Sequence, residues 1–180
     1  MKKIFLTLVL VLSVNTFFGQ SVFDKFDGDE NIATVIVNKK MFAMLGKMDA
    51  KDKETQQYVN LIKKLDNLRV FVTQSDKKAD EMRAVSDKYI KSAALEELMR
   101  MTEKGKSVKI YVKSGATDSQ IKELLMFVDG AGPKSESVLM SLTGDFDLNE
   151  LSVLTDKMNL PGGDDLKKAS KNAKGSKGAK

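Results

Sequence analysis

The sequence has neither cysteine nor histidine. Without them, Ser-His-Asp and Cys-His nucleophilic catalysis are excluded, as are zinc sites of the His and Cys types. Disulfide stapling is excluded too, although about 160 residues can bury enough surface to do without it. A lipoprotein needs a cysteine just after its leader, so lipid anchoring by that route is not expected. Proline is scarce, with two in the chain, and no second apolar run beyond the N-terminal one is long enough to span a bilayer. What remains is carboxylate chemistry, oxygen-ligated metals, thioether ligands and non-covalent binding.

The N-terminus is the strongest signal present. Met1, Lys2 and Lys3 precede an apolar run from Ile4 to Val14, and small and polar residues return by Gln20. That layout predicts a cleaved secretory signal peptide over residues 1–20, cut after Gly19 or Gln20. The run is roughly half the length of a membrane-spanning helix. The expected location is therefore outside the cytoplasm, periplasmic or extracellular. The formal net charge of +5 is carried by the ends. With Lys2, Lys3 and the six lysines after Leu166 set aside, 22 basic residues face 25 acidic ones. A mildly acidic body gives no argument for a nucleic-acid partner.

Along the chain, residues 32–37 are β-branched and read as a strand. Met41, Met44, Leu45 and Met48 fall on one helical face, and Tyr58, Leu61, Ile62 and Leu65 on another. Residues 68–73 alternate as a second strand, with Leu68, Val70 and Val72 on one side and Arg69, Phe71 and Thr73 on the other. Ser75 and Asp76 offer a cap to a helical stretch ending at Gly105, with a bend or break expected near Lys91 and Ser92. Residues 107–113, 121–128 and 138–143 read as three strands joined by short turns, which favours an antiparallel meander. Phe146-Asp147-Leu148-Asn149-Glu150-Leu151 has the spacing of a capping box with a hydrophobic staple, Asp147 at the N-cap and Glu150 reaching back to its amide. The helix it opens is expected to run to about Met158. The fold class is α+β, in the order β-α-α-β-α-β-β-β-α, a mixed sheet with a C-terminal antiparallel meander covered by helices. One domain spans residues 21–162, followed by a disordered Lys/Gly/Ala/Ser-rich tail over residues 163–180.

The leader ending Phe17-Phe18-Gly19-Gln20, the segment from Ile32 to Phe42, the strand Val108-Lys109-Ile110-Tyr111-Val112 and the run Leu142-Thr143-Gly144-Asp145-Phe146-Asp147-Leu148 carry a resemblance. Over residues 20–162 the chain resembles domain of unknown function family 4252 (DUF4252), small exported bacterial proteins. The resemblance implies export and a single domain. It brings no established activity, so it assigns no site residue.

No residue pattern selects a catalytic or cofactor-binding site, and no cofactor is expected. Asp24, Asp27, Asp29 and Glu30 cluster oxygens of the kind calcium needs, but without EF-hand spacing, and read as a solvated acidic arm. Gly130 to Ser135 has phosphate-loop residues interrupted by Pro133 and reads as a hairpin turn. Asp145 and Asp147 pair two carboxylates at a strand-to-helix corner and read as turn and cap. Met41, Met44 and Met48 could hold Cu(I) through their thioethers, but a methionine stripe at helical spacing reads first as core filler. Met99 and Met101 diverge if helical. The lysine tail could touch anionic envelope polymers and reads first as a solubilising end. The expected function is thus an exported, non-enzymatic envelope protein that binds or supports an envelope protein or polymer. The alternatives are a carboxylate-dependent hydrolase of an envelope polymer and a methionine-based Cu(I)-binding protein.

Overall fold

A computed structural model describes residues 21–151, apart from residues 50, 104, 118 and 131–134, together with residue 164. A 3-10 turn, Ser21–Phe26, leads into strand β1 (Ala33–Asn38). Helices α1 (Lys39–Leu45) and α2 (Lys53–Ile62) precede β2 (Leu65–Thr73), and α3 (Asp76–Ser92) follows it. Four strands then run in succession: β3 (Glu96–Glu103), β4 (Lys106–Ser114), β5 (Gln120–Asp129) and β6 (Ser137–Asp147). Each helix starts where a short polar side chain can take an orphan amide. Asn38 accepts from Met41 N at 3.0 Å, Asp52 from Thr55 N at 2.8 Å and Ser75 from Lys78 N at 3.4 Å.

All six strands join one sheet in the order β1-β2-β6-β5-β4-β3. Every pairing is antiparallel, so the expected mixed sheet is corrected to a wholly antiparallel one. The meander has four strands rather than three. The additional one is β3, which occupies the second half of the expected long helix. That helix breaks where expected, at Ser92. Ala94 then adopts φ 52, turning the chain out of helical geometry. Gly105, φ 84, makes the tight return into β4.

The alternation predicted for β2 places the two cores. Leu68 and Val70 face one side with Ile110, Leu124, Met126, Met140 and Leu142, where Phe42, Leu61 and Ile62 from α1 and α2 are buried in the same cluster. Phe71 faces the other side with Leu125, Phe127 and Leu139, against Met82 and Tyr89 of α3 and Phe23 and Phe26 of the 3-10 turn. Residues 21–30 are therefore more than a solvated arm. Phe23 stacks edge-on to Tyr89 with centroids 5.1 Å apart, and Phe26 edge-on to Phe71 at 5.7 Å. Met99 and Met101 lie on a strand, where residues two apart share a face, and both pack against the first core.

At the C-terminal corner, Phe146 and Leu151 are buried and Glu150 accepts a hydrogen bond from the Asp147 amide at 3.1 Å. The reach-back expected of the capping box is present. The segment opens as a 3-10 turn, Leu148–Glu150, and the helix expected to reach Met158 lies outside the described residues, as do the signal peptide and the lysine tail.

Candidate functional site

Three places carry chemistry worth weighing. The first is an open cleft of about 590 Å³ at one end of the sheet, lined by Glu30, Asn31, Thr73, Gln74, Ser75 and Glu136 among others. Its wall is fixed by Thr73, whose hydroxyl donates to Asn31 O at 2.7 Å and accepts from Ser75 N at 3.1 Å. Nearby, Lys78 meets Asp29 at 2.7 Å, and this contact holds the Asp29 carboxyl below its usual range and raises the lysine. Glu136 accepts a long hydrogen bond from Gln74 at 3.4 Å. The cleft is polar and shallow. Its two carboxylates, Glu30 and Glu136, are both exposed to solvent, without the burial that raises a general acid's pKa.

The second is beneath α3. Glu123 is 8% exposed on β5, directly before the apolar run Leu124 to Val128. It accepts a hydrogen bond from the Tyr89 hydroxyl at 2.6 Å. Burial pushes the Glu123 carboxyl above its usual range, while Tyr89 and the positive charge of Lys113 pull it back down. Burial and the neighbouring carboxylate push the Tyr89 hydroxyl well above the ordinary phenol range. A buried carboxyl of this kind is how an acid is tuned toward neutral pH. The cleft is not where it sits, however. Ser137 on β6 pairs with Thr73 at the cleft, whereas Glu123 pairs with Thr143. Six residues of strand separate them, roughly 20 Å at the rise of a β-strand. Sequence reasoning missed Glu123, and the one available signal was an acid set directly against the apolar run from Leu124 to Val128.

The third is the surface formed by β1 and α1. The helix buries Phe42 and leaves Met41 and Met44 at 49% and 60% exposure, and Met48, in the turn after it, stands at 53%. The reading of these three as core filler is therefore corrected. Phe42 takes the inward position, with Leu45 one turn on packed partly beside it. Val35 and Ile36 on β1 are also exposed, at 46% and 41%.

The remaining sequence candidates are not brought together. Asp24 pairs with Arg69, and Asp29 with Lys78, rather than converging on a cation. Among the described residues no group of three or more acidic side chains could hold a metal ion. Asp145 pairs with Lys122 at 2.7 Å and accepts from Gln120, contacts that hold its carboxyl below the usual range. Residues 131–134 of the Gly130 to Ser135 segment lie outside the described residues. The segment joins β5 to β6, which pair as antiparallel neighbours, so a strand and not a helix follows it.

The fold and these surfaces define an α+β domain whose antiparallel sheet carries helices on both faces. The chain belongs to the family described as domain of unknown function (DUF4252), whose model matches residues 26–154. No curated protein and no solved structure matches it.

Proposed function

We propose that this protein is an exported, non-enzymatic binding domain of the cell envelope that engages a partner polypeptide through the outer face of α1. The observation that carries this reading is the exposure of Met41 and Met44 on one short helix and of Met48 in the turn that follows it. Methionine side chains are unbranched and polarizable, so they fit irregular apolar partners and are over-used at adaptable binding surfaces. Export rests on the charged and apolar layout of residues 1–20. The separation of the buried Glu123 from the cleft argues against a carboxylate pair acting on a polymer, since glycosidic cleavage needs its two carboxyl groups about 5–10 Å apart.

The test is site-specific photocrosslinking of the natively exported protein in its own envelope. A photoreactive residue at Met44 is expected to yield a discrete adduct that the same residue at Lys88, exposed on α3, does not. Equal adducts at both positions, or none at either, would overturn the assignment to α1. Turnover of a glycan or peptide panel that is abolished by one Asp or Glu substitution would replace it with the hydrolase.

The same exposure supports a second reading, Cu(I) binding, because the thioethers of Met41, Met44 and Met48 are open to a soft cation. Competition for Cu(I) against a chromogenic chelator distinguishes the two. Copper uptake lost on replacing all three with leucine favours the metal. Photocrosslinking from position 44 that survives replacement of Met41 and Met48 with leucine favours the polypeptide.

A further inference from the structure

The two edges of the sheet are built differently. β3, at one edge, carries Glu96, Glu97, Arg100 and Glu103, and its register with β4 shifts between Glu97 and Met99. Charges and an irregularity of that kind are the devices that keep an edge strand from pairing with a stray one. β1, at the other edge, has none of them. Its sequence is Ala33-Thr34-Val35-Ile36-Val37-Asn38, without charge or proline, and its register with β2 is unbroken over all six residues. Its outer side pairs with no described strand, and Val35 and Ile36 stand exposed on its two faces. An edge of this composition is a template for another extended chain.

The charges flanking β1 choose the occupant. Asp29 and Glu30 lie just before the strand, and Lys39 and Lys40 just after it. An antiparallel second copy brings the acidic end of one β1 against the basic end of the other, twice, about a two-fold axis. A two-fold perpendicular to the sheet keeps each face on its own side, so each residue must pair with one of the same parity. With Val35 on the axis, Ala33 pairs with Val37 and Thr34 with Ile36, which brings the turn carrying Glu30 beside the start of α1, where Lys40 lies. Glu30 and Lys40 are exposed, and neither forms a salt bridge with another described residue. We infer that β1 pairs with β1 of a second copy of this chain, Val35 at the centre, extending the six-stranded sheet across the dimer. This inference uses the strand edge and its flanking charges and stands apart from the role given to α1.

The absence of native cysteine makes the register directly testable. In this register Val35 faces its own copy at about 4.5–5.5 Å between Cα atoms, within disulfide range. Ile36 faces Thr34 instead, and its own copy lies beyond roughly 7 Å. Mild oxidation of the full exported chain is expected to give a covalent dimer from V35C at least about tenfold more efficiently than from I36C. By sedimentation velocity the wild-type protein is expected to dimerise with rising concentration. E30K and K40E should each weaken the dimer, and the double variant E30K/K40E should restore it. A wild-type protein that stays monomeric at every concentration overturns the inference, as does equal cross-linking of V35C and I36C. So does failure of the double variant to recover, or capture of a foreign extended peptide by β1 of a monomer.

Discussion

The Tyr89 hydroxyl donates to Glu123 Oε1 at 2.6 Å, joining α3 to β5 within the second core. The bond ties a helix to the sheet at a carboxylate whose pKa burial raises. A carboxyl that holds its proton more tightly folded than unfolded favours the folded state while that proton is on. This contribution is lost as pH rises from the usual value near 4.5 through the raised folded value. Glu123→Gln keeps an oxygen to accept from Tyr89 and removes the titration. It is expected to melt above wild type at pH 7, with the gap closing as pH falls toward 4. Melting curves across that range check it, and a gap independent of pH would show that Glu123 is not the titrating group. Tyr89→Phe, which deletes the donor, is expected to cost about 1–3 kcal/mol.

The close approach of Gly144 to the end of α2 gives a second expectation. Asp145 N donates to Lys64 O at 2.9 Å, and a Cβ on Gly144 would lie 2.9 Å from Leu65 Cα and nearer still to the Lys64 carbonyl. The obstruction is backbone and cannot swing aside. Gly144→Ala should therefore destabilise by about 1–3 kcal/mol in chemical denaturation. Unchanged stability would mean the two segments part without cost.

Helix α1 allows its inward and outward faces to be told apart by stability. Phe42→Ala is expected to cost about 3–5 kcal/mol. Met44→Ala should stay within about 0.5 kcal/mol of wild type. Equal costs at the two positions would restore the methionines to the core.

Export is expected to remove residues 1–19 or 1–20, so the intact mass of the natively exported protein should correspond to a chain beginning at Gln20 or Ser21. A mature species beginning at Met1 would overturn the localisation.

Much of this fold is legible in the sequence, and the exceptions have definite causes. The β2 alternation, the caps and the Asp147–Glu150 corner follow from local patterns of polar and apolar residues. β3 does not, because Glu96-Glu97-Leu98-Met99-Arg100-Met101 consists of good helix formers. Pairing with β4 overrides that preference, and the turn between α3 and β3 falls at Ala94, a residue that gives no warning of positive φ. The face of α1 is misjudged for another reason. Met41, Phe42, Met44 and Leu45 surround the helix with apolar side chains, and the chain leaves helical geometry before Met48, so spacing alone cannot choose between Phe42 and the methionines. The pairing of Glu123 with Tyr89 spans two elements far apart in sequence, and no local pattern contains it.

The position of β6 between β2 and β5 has a consequence for how the chain comes to be folded. β2 cannot acquire its second neighbour until the last of the described strands has been made, so the sheet stays in two unjoined pieces while the chain is synthesised N-terminus first. The ladder between Val72 and Val138 closes a loop of more than sixty residues, the kind of distant contact that makes folding slow. Until then β2 and β5 each present a bare apolar margin. That interval is when aggregation and chaperone capture compete with folding. β6 thus acts as the keystone, and truncations that reach it should yield insoluble fragments rather than smaller domains.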